Sequence, residues 1–195
     1  MDKLDEIRSA YRDVFQIIVD ERGSGDGEIK SLDERQSHIA MIRQSILNDV
    51  LRPSHQDVFW LDADVIEFEV GIIGELMKHR DAIAAPMVLR RRGKVDVFYD
   101  TAGFVKDGVW ANVFWPFFKS EDPVLEMESV GAFYRIPARV FFTGAFYHPV
   151  AGFTEHYSVC EFARRKMGMK VLCDRRFSAH HANLPEYGDK THAYE

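Results

Sequence analysis

The sequence predicts an α/β domain: a mixed, mostly parallel sheet flanked by helices. Three observations predict it. Apolar segments of strand length alternate along the chain with segments of helical spacing. The run Val58-Phe59-Trp60-Leu61 is apolar at four successive positions between polar neighbours, the pattern of a strand buried on both faces at the centre of a parallel sheet. That run stops on two acids, Asp62 and Asp64, which places the working end of the protein just past it.

In order, Leu4, Ile7, Tyr11 and Val14 keep the three-four spacing of a helix of about three turns. Phe15 to Val19 reads as a strand. The glycine-rich loop Asp20 to Gly27 lacks the Gly-Lys-Ser/Thr ending of a phosphate-cradling loop and reads as a site rim. A long helix begins at Leu32-Asp33, carries Ile39, Ile42, Ile46 and Val50 at helical spacing, and is closed by Pro53. After the two acids, Val70, Ile73 and Met77 mark a helix and Ala82 to Pro86 a strand. Arg90-Arg91-Arg92-Gly93-Lys94 is a basic turn, and Val95 to Tyr99 is the return arm of a hairpin. Ser129 to Tyr134 is a strand, Pro137 starts a short helix and Gly144 ends it. Glu155 to Met167 is a helix closed by Gly168, followed by extended pieces at Lys170 to Cys173 and Phe177 to His181.

Composition sets the limits. A chain of 195 residues that is 46% hydrophobic is expected to form one domain, with its core in residues 1–183 and a polar tail in 184–195. A net charge of −6 argues against general binding to nucleic acid or to a membrane surface, so a polyanion would be met locally, by a metal or a few arginines. Two cysteines, Cys160 and Cys173, give no disulfide framework and point to a reduced compartment. No apolar run has the length of a membrane span, and the start of the chain is unlike a secretory signal. These features lead to the expectation of a soluble, cytoplasmic protein.

In extended chain, residues i and i+2 point to one side, so the Asp62 and Asp64 carboxylates are expected to converge on one point. A hard divalent ion, Mn²⁺ or Mg²⁺, would relieve their repulsion; otherwise the pair is a solvated turn or a helix N-cap. The arginine cluster is a solvated loop or a grip on a phosphate or an acidic acceptor. Trp110, Phe114, Trp115, Phe117 and Phe118 are packing residues, including a subunit contact in a homo-oligomer, or a platform for a sugar ring.

With these residues in view, the chain resembles the glycosyltransferases of the GT-A fold, nearest to the fungal mannan-polymerase-type mannosyltransferases and their bacterial and phage relatives. Arg35, Ala40, Arg43 and Gln44 are similar to that family's R-x-x-x-x-A-x-x-R-N, with Gln44 in place of the asparagine. Trp60 to Val65 matches its W-x-D-A-D-[VI] closely. Tyr99-Asp100 resembles its Y-D pair, and Glu128 to Gly131 its D-x-V-G strand. Glu155 to Cys160, Gly168 and Asp174 to His181 resemble its closing pattern of E-x-x-x-x-C, glycine and D-x-x-x-x-x-x-H. Tyr157 stands where the family has a second acid, and Met1 already falls in the helix after the fold's first strand, so that strand is expected to be lacking or replaced by something else.

The resemblance implies a transfer of sugar from a nucleotide-diphosphate donor to a hydroxyl acceptor. Asp64 would be a direct metal ligand, Asp62 would act through water or on the ribose, and His181 rather than His180 would complete the set. Arg43 would face the donor, Asp100 and Glu128 the sugar, and Glu155 would orient the acceptor hydroxyl or act as base. Two other readings use the same residues: a transferase-like binding module without catalysis, and a metal-dependent phosphohydrolase or nucleotidyltransferase.

Overall fold

The structure, a computed structural model, describes residues 3–12, 32–92, 94–99, 103–110 and 121–182. Its elements in chain order are α1 (Lys3–Ala10), α2 (Leu32–Val50), β1 (Asp57–Leu61), β2 (Val65–Phe68), α3 (Gly71–Lys78), β3 (Ala82–Arg92), β4 (Val95–Phe98), β5 (Val105–Lys106), β6 (Val109–Trp110), β7 (Val124–Met127), β8 (Phe133–Pro137), α4 (Arg139–Phe142), α5 (Glu155–Met167) and β9 (Lys170–His181).

Two long strands, β3 and β9, run parallel down the middle of the main sheet. Four shorter strands divide their outer edges. β8 and then β4 flank β3, and β7 and then β2 flank β9, all antiparallel, while β1 continues the sheet beyond β8. Ile83, Ala84, Ala85 and Val88 on β3 and Val171, Cys173 and Ala179 on β9 are fully buried. Small and β-branched residues fit here because helices cover this pair; α5 contributes Val159, Cys160 and Ala163 to the same core. Gly168 closes α5 in the left-handed conformation at φ 63°, with its own N–H on Arg164 O and that of Met169 on Ala163 O. Among the described residues, no helix is long and apolar enough to cross a membrane.

The α/β alternation with a mixed sheet is as the sequence predicts, but the share of parallel pairing is smaller. Among the described residues β3 with β9 is the one parallel pair, and β1, expected at the centre, is a half-buried end strand antiparallel to β8. Its apolar run covers core from the edge. The strand expected over 129–134 instead occupies Phe133–Pro137, leaving Ser129 as an isolated bridge to Val105. Pro137 ends this strand rather than starting α4, pairing with Asp57 of β1 beyond the point where β8 meets β3. β3 runs on into the arginines, so Arg90 and Arg91 are strand residues in the expected hairpin with β4. The two extended pieces after Gly168 are one strand, β9, interrupted by a bulge. The expected strand at 15–19, its glycine-rich loop, the aromatics at 114–118, the tail at 184–195 and the matter of a first strand lie outside the described residues.

The start of β1 and the segment leading into β3 are tied together by a buried charge, Arg135 on β8. Its guanidinium donates to the carbonyls of His79 and Ala82 and to the Asp57 carboxylate at the start of β1. Arg135→Met would take the guanidinium from that carboxylate and one donor from each of those carbonyls, the His79 carbonyl keeping the Ala82 N–H. A loss of about 3–5 kcal/mol is expected, the range for breaking a buried ion pair, read as a lower midpoint in urea denaturation. A midpoint within error of wild type would show that the clamp is dispensable.

Candidate active site

The buried face of α2 is not the apolar line the spacing suggests. Ile46 is buried as predicted, but Ile39, Ile42 and Val50 are half-buried flanks, while Gln36, Ala40, Arg43 and Leu47 form the innermost line. Arg43 therefore points into the protein. Its Nη2 donates to Asp62 Oδ1 at 2.7 Å and its Nε to Glu155 Oε1 at 3.1 Å, with the guanidinium 4.9 Å from the centre of the Trp60 ring. Burial works against a charged guanidinium, but the Asp62 and Glu155 carboxylates outweigh it and hold the Arg43 pKa well above its ordinary value.

Behind Glu155 lies a chain of polar groups. His156 Nε2 stands 3.3 Å from Glu155 Oε1, His156 Nδ1 is 2.9 Å from the Tyr134 hydroxyl, and that hydroxyl is 2.8 Å from the Tyr147 hydroxyl. Burial depresses the His156 pKa and raises those of both tyrosines. In a neutral ring with its proton on Nε2, His156 accepts from Tyr134 and turns its N–H toward Glu155. Glu155 is only 3% exposed, and among the described residues both of its side-chain ion-pair contacts fall on Oε1. It sits in the first turn of α5 as expected, built as the counter-charge of Arg43.

The two aspartates do not converge. Residues 62 to 65 form a turn, closed by the Val65 N–H on Asp62 O at 3.0 Å, so the extended-chain geometry does not apply. Asp62 turns to Arg43, while Asp64 Oδ2 lies 2.7 Å from His181 Nε2. The end of β9 makes this second contact: Val65 pairs with His181, and the Ala182 N–H returns to Asp64 O. His180, one residue earlier, points to the other face and lies 3.3 Å from Asp96. His181 is further held by the Tyr99 ring, stacked at 3.8 Å and 26°.

His181 Nδ1 is 2.9 Å from Ala182 O. An imidazole that donates there turns its Nε2 lone pair toward a carboxylate oxygen, so a proton or a cation must stand between the two acceptors. The pair therefore fits a divalent ion as two of its ligands. Among the described residues no group of three or more His, Cys, Asp or Glu side chains gathers as a metal site. Water and ligand oxygens would fill the rest of the shell.

Glu128 is placed elsewhere. Its carboxylate is held by Arg164 at 3.2 Å and by the Gly108 N–H at 2.8 Å. Asp100 lies outside the described residues. Sequence reasoning missed His156, Tyr134 and Tyr147, since a lone histidine and two tyrosines among apolar residues carry no spacing signal.

Fold and site together define a mixed α/β domain with an acidic site at its strand ends, organised round one buried arginine. Residues 9–110, more than half of the chain, match the family described as Anp1, and the chain belongs to that family. It is 29% identical over 72 residues to the mannan polymerase complex subunit mnn9 of Schizosaccharomyces pombe, covering 37% of this chain and 21% of that protein. It is 36% identical over 58 residues to the mannan polymerase complex subunit MNN9 of Candida albicans, covering 30% of this chain and 16% of that one. The matched segments thus span about a fifth or less of these relatives' length. Among solved structures, a crystal structure of GalNAc-T7 with UDP, GalNAc and Mn²⁺ aligns over 99% of this chain and 37% of that one, at 17% identity and a TM-score of 0.44.

The depressed pKa of His156 carries a pH dependence. The unfolded chain takes up a proton on this ring near pH 6.5, the buried ring only lower, so the unfolded state binds more protons between the two values. The stability from this group is full above that unfolded value and falls as the pH drops through it. Thermal midpoints measured from about pH 7.5 down to about pH 5 are expected to fall more steeply for wild type than for His156→Gln. Parallel profiles would remove His156 as the titrating group.

Proposed function

We propose that this domain is a metal-dependent glycosyltransferase, moving a sugar from a nucleotide-diphosphate donor to a hydroxyl acceptor. The observation that carries the reading is the Asp64–His181 pair at the sheet's edge, in a chain of the Anp1 family. Asp64 and His181 would hold Mn²⁺ or Mg²⁺, with the imidazole nitrogen favouring Mn²⁺. When bound, such an ion neutralises the charge that develops on a diphosphate leaving group.

The chain's own residues do the rest. Arg43 fixes Asp62, which keeps a solvent-facing side, 34% exposed, to meet a ribose hydroxyl or a metal-bound water. Glu155 Oε1 is committed to Arg43, and because the residue is 3% exposed, Oε2 would reach an acceptor hydroxyl only once the site opens around it. Asp100 would accept hydrogen bonds from the sugar; Glu128 could do so only by giving up Arg164 or Gly108. The relatives named as subunits of the mannan polymerase complex favour a mannosyl donor, a glycan acceptor and work within an assembly.

Calorimetry with a panel of nucleotide sugars, with and without Mn²⁺, tests the reading. Asp64→Ala is expected to abolish Mn²⁺-dependent nucleotide binding with the fold intact, because the residue sits in an exposed turn. His181→Ala should weaken binding more than His180→Ala, whose ring is on the other face with Asp96. Unchanged affinity in Asp64→Ala, or equal losses in the two histidine variants, would sink the metal assignment. Binding without sugar transfer or donor hydrolysis would point to a binding module; release of free phosphate or pyrophosphate would point to phosphoryl chemistry.

A further inference from the structure

Asp64 and His181 are one end of a row that crosses a face of the sheet. Arg90 on β3 lies opposite His181 on β9, in parallel register, and Val65 lies opposite His181 on the other side. Tyr99, just past β4, stacks on His181 and has the Arg90 guanidinium 5.6 Å from its ring centre. Arg90, His181 and Val65, which follows Asp64, are thus cross-strand neighbours on one face, and the Tyr99 ring reaches over His181 from beyond β4, whose Val97 is the residue opposite Arg90.

The neighbouring arginine shows what is unusual about Arg90. Successive strand residues face opposite ways, and Arg91 meets an acid on its side, Asp96 at 3.4 Å. Arg90 is half-buried, yet among the described residues its guanidinium has no carboxylate within ion-pair distance, only the Tyr99 ring. A partly desolvated guanidinium is ordinarily offset by an anion. Here the arginine is the cross-strand neighbour of the histidine of the acid–histidine pair.

We propose that Arg90 is an anion-binding residue whose ligand is a phosphoryl group, a diphosphate held jointly by this guanidinium and a divalent ion on Asp64 and His181. This rests on the metal reading given above. Two protein ligands leave most of the ion's shell to be filled by oxygen, which a diphosphate supplies by chelation. The guanidinium fork, one strand away from His181, matches the oxygens left over. Tyr99 orders both partners, stacking on the imidazole and carrying the cation.

The test is a titration of Mn²⁺ alone, then of Mn²⁺ with inorganic pyrophosphate, into wild type, Arg90→Gln and Arg91→Gln. Arg90→Gln is expected to weaken pyrophosphate binding about tenfold or more, with Mn²⁺ affinity unchanged or slightly tighter and an unchanged melting temperature. Arg91→Gln removes the same charge from the opposite face and is expected to change affinity less than about twofold. Equal losses in both variants would reduce Arg90 to a general charge effect and overturn the assignment. So would undiminished pyrophosphate binding in Arg90→Gln, and if that variant instead weakened Mn²⁺-dependent binding of galacturonate, the ligand class would be a carboxylate. Failure of wild type to bind Mn²⁺ at all would overturn the metal reading and this inference with it.

Discussion

The arrangement of the site depends on the burial of the Arg43 charge. A guanidinium taken out of water is tolerable only if carboxylates meet it, and here they arrive from two distant segments, Asp62 after β1 and Glu155 at the start of α5. Removing either would strand a charge in the interior, at a cost of about 3–5 kcal/mol. That penalty is set against every arrangement in which α2, β1 and α5 are not in their places. The pair of ion pairs adds little net stability over a well-packed apolar core, but it specifies geometry. Trp60 under the guanidinium and the His156–Tyr134–Tyr147 chain behind Glu155 leave the hub little freedom to reorganise when a ligand arrives.

The turn at residues 62 to 65 divides the labour between two acids that the sequence places side by side. Each is anchored on one side by a buried partner, Arg43 for Asp62 and His181 for Asp64, and each keeps an outer side, 34% and 42% exposed. A ligand lying across the strand ends therefore meets two fixed carboxylates of different character. One is already neutralised by a guanidinium. The other faces an imidazole across a gap that a proton or a cation must bridge.

Much of this was legible in the sequence, for identifiable reasons. Helix α5, its start at Glu155 and its stop at Gly168 follow from spacing and from the left-handed conformation that glycine allows. The motif order located Arg43, Asp62, Asp64, Glu155 and His181 as residues to watch, and the structure joins them pairwise. The separation of the aspartates was not legible, because period-two reasoning holds only while the chain stays extended and the ladder ends at Leu61. The buried face of α2 was misread because apolar spacing does not register an arginine that is buried by its partners. The sheet's antiparallel character was hidden by the same logic: an apolar run reports burial and says nothing about direction.

Which histidine meets Asp64 is decided well away from the site. Across β3 and β9, Pro86 pairs with Asp174 but Met87 pairs with Ser178, so three residues, 175 to 177, bulge out of register. Asp174 pins that bulge: its carboxylate takes the backbone N–H and the guanidinium of Arg176 and sits 3.0 Å from His79 Nε2. Burial alone would raise the Asp174 pKa, but the hydrogen bonds from Arg176 and His79 outweigh it and keep the carboxyl below its ordinary value. A strand's faces alternate with period two, so a bulge one residue shorter would set His180 opposite Arg90, on the side of Asp64, and turn His181 to the face of Asp96. The choice between two adjacent histidines is thus made by a carboxylate seven residues upstream in the same strand, and the site inherits its geometry from the register of the central strand pair.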